Sequence, residues 1–122
     1  MNRRYRLTQS ADFKRVRRRG KSFAHPLIVL VALPNELGKS RFAVVAGRNL
    51  GNAVKRNRAK RLLRAALRPL VGSIGSGWDI ILIARLPLLD SNSTAANIIL
   101  KELIQRAELF RVKDDLSSPP SP

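Results

Sequence analysis

The apolar positions of this chain fall into two kinds of run, and their spacing predicts a mixed fold. Leu27-Ile28-Val29-Leu30-Val31-Ala32-Leu33 and Trp78 to Ala84 are continuous and apolar, and β-branched residues recur in them, the pattern of buried strands. Arg41 to Ala46 is a shorter run of the same kind. The segment Pro34-Asn35-Glu36-Leu37-Gly38-Lys39 before it predicts a hairpin loop between the first two strands. Elsewhere the apolar residues return every three or four positions, as on a helix. Thr8 to Arg19 predicts a first helix, with Phe13 and Val16 on one face, Thr8 or Ser10 as cap and Gly20 as stop. Val54 to Leu70 predicts a second, capped by Asn52 and entered through a tight connection between Gly47 and Gly51. A last helix should start at a Ser91 or Ser93 cap and run to about Arg111, with Ile99, Leu103, Ala107 and Phe110 as its stripe. Gly72 to Gly77 predicts a flexible loop between the second helix and the last strand.

The order is α-β-β-α-β-α, with room for a short extra strand at Ser22 to Ala24. This predicts an α+β fold in which helices pack on a small sheet and leave part of its other face to a ligand. Residues 1–112 are the length of one domain, whereas 113–122 hold little to bury and should form a disordered tail.

The polar positions of the second helix add a function. A helix turns by about 100° per residue, which gathers Asn57, Lys60, Arg61, Arg64 and Arg68 on one face. Ala59, Leu62, Leu63, Ala66 and Leu70 gather on the opposite one. The chain carries 24 Lys and Arg against 8 Asp and Glu, a net charge of +16, and no acid lies between Glu36 and Asp79. Solvated helix faces usually mix signs and form ion pairs. A face of like charges is costly unless an anionic partner neutralises it, and nucleic acid is the commonest such partner. Asn57 adds an amide that can read a sugar hydroxyl or a base edge.

Nine further cations lie between Arg3 and Lys21, so the basic surface is a composite of two distant blocks. In the first block Phe13 stands among Lys14, Arg15 and Arg17, a mixture of aromatic and cations that suits single-stranded nucleic acid and also suits a core position for the ring. Ala46 to Asn52, which joins a strand to the basic helix, could aim backbone N–H groups at a phosphate or serve as a plain turn.

Catalytic groups are missing from the pattern. His25 is the only histidine and has no Cys or acidic cluster in sequence near it. No paired carboxylates, Ser-His-Asp set or HExxH spacing occurs, so neither a catalytic residue nor a metal ligand is nominated. Cysteine is absent, which suits a reducing compartment. No signal-peptide pattern follows the basic amino terminus, and the longest apolar run is too short to span a bilayer. A cytoplasmic protein is expected, with no membrane association. Composition alone is equally satisfied by a ribosomal protein; a DNA-binding helix-turn-helix fits poorly, because strands flank the basic helix.

At Gly51-Asn52-Ala53-Val54-Lys55-Arg56-Asn57-Arg58-Ala59-Lys60-Arg61-Leu62-Leu63-Arg64 the chain resembles the protein subunit of bacterial ribonuclease P. The family signature is an Arg-Asn-Arg helix followed by Lys-Arg and a later Arg. Asp12-Phe13 with Val16 and Gly20-Lys21-Ser22, Trp78 to Arg85, and Lys101-Glu102-Leu103 extend the likeness over roughly residues 3 to 112. The resemblance implies a two-layer α/β sandwich of α-β-β-β-α-β-α order, like domain 2 of ribosomal protein S5. A left-handed βαβ crossover, rare among parallel connections, is part of that fold. It implies that Arg48, Arg56, Asn57, Arg58, Lys60, Arg61, Arg64 and Arg68 face a catalytic RNA subunit. Phe13, Lys14, Arg17, Val29 and Val31 would form a cleft for the 5′ leader of precursor tRNA. The RNA, with Mg²⁺ held chiefly by that RNA, would cleave the leader; no organic cofactor and no obligate protein partner are implied. Arg17 stands where the family commonly has a second aromatic, Val31 where it commonly has one on the first long strand, and Gly47-Arg48-Asn49 in place of Ser-Lys-Lys.

Overall fold

The structure, a computed structural model, describes residues 6–7 and 10–111. Helix α1 spans Ser10–Arg19, with Asp12 in its first turn and Arg17, Arg18 and Arg19 in its last, charges that complement the helix dipole at both ends. Gly20 stops it. Its N–H reaches the Val16 carbonyl at 2.8 Å, and a β-carbon there would lie 2.5 Å from that oxygen and 2.7 Å from Val31 Cγ1. Only glycine lets the chain turn this tightly against the sheet. Thr8, one of the two expected caps, and the tail over 113–122 lie outside the described residues.

Four strands follow: β1 (Lys21–Ala24), β2 (Ile28–Pro34), β3 (Arg41–Val45) and β4 (Trp78–Ala84). The short extra strand is β1, paired antiparallel with β2. The expected hairpin between β2 and β3 is corrected by the sheet order, β1-β2-β4-β3. β4 inserts between them, antiparallel to β2 and parallel to β3. The physical reason is its sequence: Ile80, Ile81 and Leu82 are all buried, so β4 needs cover on both faces and a neighbour on each edge. β3, shorter and half-buried, takes the edge, where Leu7 N–H bonds the Phe42 carbonyl at 2.7 Å. The parallel β3-to-β4 connection runs through α2 (Ala53–Leu67), the crossover that the resemblance implies.

Alternation along the strands gives the sheet two unlike faces. Ile28, Leu30, Phe42, Ile80 and Leu82 form the main core with Leu63 and Leu67 of α2 and Leu100 and Leu103 of α3 (Ser93–Arg106). Val29, Val31, Ala43, Val45, Ile81 and Ile83 form the other face, covered among the described residues by Leu7 and by Phe13 and Val16 of α1.

Two helix boundaries differ from expectation. α2 ends at Leu67 and continues to Ser73 as a 3-10 segment, because Pro69 has no N–H for an α-helical bond. α3 is capped by Asn92, whose Oδ1 accepts the Ala95 N–H at 2.9 Å, and it ends at Arg106. Its buried stripe is Ala96, Leu100, Leu103 and Ile104; Ile99, Ala107 and Phe110 pack at the margin. The Asn52 cap is as expected, accepting the Lys55 N–H at 3.0 Å.

Candidate nucleic-acid interface

The basic ridge lies along the solvent side of α2. Asn57, Arg58 and Arg61 are exposed; Arg56, Lys60 and Arg64 are half-buried. Arg68 continues the spiral at the first residue beyond α2 and is exposed. Arg48 is exposed on the 3-10 turn Arg48–Leu50 that leads into the helix. Among the described residues none of these cations pairs with a carboxylate, because every ion pair involves Arg15 or Arg41. The first turn of α2 also holds no acid, while Lys55 and Arg56 sit at its positive end. That placement opposes the helix dipole and adds to like-charge repulsion, penalties that an anion bound along the helix would relieve.

The second surface is the half-covered face of the sheet. α1 crosses one end of it, burying Val31 and Ile81. At the other end Val29, Val45 and Ile83 stay half-buried and floor an open groove of about 830 Å³. Arg17 on α1 and Arg85 beyond β4 stand on its walls, with His25 and Asn49. Gly47 and Asn49 also belong to the turn leading into α2, so the groove ends beside the foot of the ridge. The same turn uses two of its own N–H groups internally, Leu50 to the Gly47 carbonyl at 3.1 Å and Gly51 to Arg48 at 3.0 Å.

What holds α1 in place is a charged clasp. Asp79, fully buried on β4, accepts from Arg41 Nε at 2.9 Å and Nη2 at 2.8 Å, Asn35 Nδ2 at 2.7 Å and Arg15 Nη2 at 2.9 Å. Asp12 of α1 takes Arg41 Nη1 at 3.2 Å and Arg15 Nη2 at 3.3 Å. Burial pushes the Asp79 carboxyl up, but hydrogen bonds from Arg41 and Asn35, the Arg41 charge and the Arg15 bond outweigh it and hold its pKa below the usual carboxylate range. The hydrogen bond to Asp79 in turn raises Arg41, against its burial. The clasp binds helix, edge strand and central strand at one end of α1, and leaves Arg17 at the other end facing the groove.

The Ribonuclease P family profile matches residues 1–108. The ribonuclease P protein component of Herpetosiphon aurantiacus is 36% identical over 117 residues, covering 96% of this chain and 95% of that one. The Roseiflexus sp. protein of the same name is 37% identical, covering 93% and 94%. The chain belongs to the ribonuclease P protein family. Solved structures of the family agree: the Staphylococcus aureus RNase P protein superposes with a TM-score of 0.78 at 32% identity, over 88% of this chain and 98% of that one. The Thermotoga maritima RNase P protein gives 0.74 at 30% identity, over 83% and 96%. The α+β fold is therefore that of the ribonuclease P protein family, and the chain is a protein component of ribonuclease P, an RNA-binding subunit of a tRNA-processing ribonucleoprotein whose partner is the ribonuclease P RNA. No helix among the described residues is long and apolar enough to cross a membrane.

Within this ribonuclease P protein the sequence-derived site residues are not all placed alike. Asn57, Lys60, Arg61, Arg64 and Arg68 lie on one face of the helical path, with Arg56 and Arg58 on its opposite flanks and Arg48 on the turn before it. Of the five leader-cleft candidates, Arg17 and Val29 meet in the open groove. Phe13 is half-buried where α1 packs on the sheet, and Lys14 is exposed on α1 away from the groove wall. Val31 is corrected: at 3% exposure beneath α1 it is core, because the clasp seats the helix over it. His25, Asn49, Val45, Ile83 and Arg85 line the groove without having been expected there. Alternation along β4 places Ile83 on the α1 face, a signal available in sequence; His25 carried none.

Proposed function

We propose that this chain grips the ribonuclease P RNA with the α2 ridge and holds the 5′ leader of precursor tRNA in the groove between α1 and the open sheet face. Arg48, Arg56, Asn57, Arg58, Lys60, Arg61, Arg64 and Arg68 form the RNA-subunit surface. Arg17 and Val29 form the leader surface, with Phe13 and Lys14 beside it. The observation that carries this division is the half-covered sheet: an apolar floor edged by Arg17 and Arg85 suits a single strand, whose bases need apolar contact and whose phosphates need cations. The ridge has no apolar floor and suits a structured RNA met through its backbone.

Among the described residues no group of three or more Asp, Glu or His converges, and the two carboxylates that share partners, Asp12 and Asp79, are taken up by Arg15 and Arg41. This donor set does not fit a hydrolytic metal centre. We therefore assign hydrolysis to the RNA subunit and the Mg²⁺ it holds, with the protein supplying affinity and positioning in the cytoplasm.

The test uses holoenzyme reconstituted with a bacterial ribonuclease P RNA. Arg17→Ala should lower affinity for precursor tRNA by about tenfold, the loss of one charge-assisted contact, while affinity for mature tRNA stays put. Equal losses on both substrates would refute the groove assignment.

A further inference from the structure

A second concave surface lies at the head of the ridge, at the opposite end of the sheet from the groove. The groove meets the last residues of β3 and β4, Val45 and Ala84. Here Ser40 and Phe42 at the start of β3, with Gly75 and Ser76 before β4, line a hollow of about 230 Å³. A larger one of about 760 Å³ adjoins it through Gly72 and Arg111, with Leu70, Lys101, Gln105 and Phe110 in its lining. Leu70 and Gly72 belong to the 3-10 segment that continues α2, so the hollow begins two residues beyond Arg68, the last ridge cation. The far wall is pinned by an antiparallel bridge that sets Ile74 opposite Phe110. The Gly75 N–H donates to the Leu109 carbonyl at 2.8 Å and the Arg111 N–H to the Ser73 carbonyl at 2.7 Å. Ile74 is buried by this pairing, whereas Phe110 stays half-buried on the wall of the hollow. Lys39, Lys101 and Arg111 are exposed around it, and among the described residues none pairs with a carboxylate. Glu102 and Glu108 line neither hollow.

We propose that this hollow is a second contact for the ribonuclease P RNA, in which Phe110 stacks an unpaired base and Lys39, Lys101 and Arg111 take the phosphates beside it. Three unpaired cations around an aromatic and Leu70 match a nucleotide turned out of a helix, whereas the convex ridge matches the backbone of a helix itself. Continuity with the ridge makes the partner the same RNA. The proposal rests on the assignment of the α2 ridge to that RNA.

The experiment measures binding of the full chain to a bacterial ribonuclease P RNA over a range of salt. Lys101→Ala with Arg111→Ala should flatten the log–log salt dependence by about 1.4–1.8, two phosphate contacts, and leave the preference for precursor over mature tRNA as it is. Phe110→Leu keeps apolar packing but removes the ring, and should weaken RNA binding about fivefold. Should Phe110→Leu melt early, Gly72→Glu decides: a β-carbon there meets nothing within 4 Å, so the change adds an acid to the hollow without a clash, and RNA binding should fall. The chain has no cysteine, so Gln105→Cys gives a single attachment point for an Fe-EDTA cleavage probe, which should cut one region of the RNA in the holoenzyme. An unchanged slope overturns the contact, as does an uncut RNA. Cutting that appears only after deletion of residues 112–122 also overturns it, because the hollow then belongs to the chain's own end. If Arg58→Ala with Arg61→Ala weakens RNA binding while the hollow variants do not, the ridge stands and the second contact alone fails. If neither set weakens it, the ridge assignment fails and takes the hollow with it.

Discussion

Replacing Asp79 by Asn keeps the shape of a buried side chain and removes the charge on which the α1 clasp converges. Four N–H donors point at its two oxygens, from Asn35, Arg15 and twice from Arg41. An amide can accept at one oxygen only, and its own NH₂ then confronts two of those donors. Breaking a buried pair from one side costs about 3–5 kcal/mol. The lower end applies here, because the Arg15 side chain is 33% exposed to water and Asp12 remains to hold Arg41. A loss of about 3 kcal/mol lowers the Tm of a domain of this size by about 10–20 °C. Asp12→Asn, at a carboxylate 31% exposed, should cost less than about 1 kcal/mol.

Thermal unfolding followed by circular dichroism reads both, and pH adds a second signature. The folded-state pKa of Asp79 lies below its unfolded value of about 3.9. Its ionised form therefore stabilises the fold fully above that value, and the contribution fades as pH falls through the folded pKa. The gap between the native chain and Asp79→Asn should be constant near neutrality and close in acid. A Tm change below about 3 °C, well under 1 kcal/mol for a domain of this size, would refute the reasoning, as would a gap indifferent to acid.

The ridge and the groove should respond differently to salt. Arg58→Ala with Arg61→Ala should weaken binding to the ribonuclease P RNA and flatten its log–log salt dependence by about 0.7–0.9 per lost phosphate contact; an unchanged slope means that those residues do not touch phosphate. Arg17→Ala should leave that slope as it is and appear only when the substrate carries a leader.

The ridge was legible in sequence because it depends on one period only. Asn57, Lys60, Arg61, Arg64 and Arg68 share a face of any helix started at Asn52, whatever it packs on. The sheet order was less legible. The apolar residues of β4 announce burial on both faces but do not name its neighbours, so the short Pro34 to Lys39 loop suggested a hairpin that the long-range pairing of β4 overrides. The α3 cap was ambiguous locally, since Ser91, Asn92 and Ser93 can all accept a backbone N–H. The groove was the least legible part. Whether Val29 or Val31 is open depends on where α1 lies, and α1 is set by bonds spanning 29 residues from Asp12 to Arg41 and 64 from Arg15 to Asp79. His25 escaped notice for a related reason: considered as a metal ligand or base it lacked partners, and its place on the groove shows only in the folded chain, where its Nδ1 accepts the Leu27 N–H.

The most direct measurement is the rate of precursor tRNA cleavage by a bacterial ribonuclease P RNA at low Mg²⁺, with and without this protein. Binding through α2 and retention of the leader along the sheet predict faster cleavage when the protein is added, with the gain lost for a substrate stripped of its leader contacts. No stimulation at any protein concentration would contradict the proposed role.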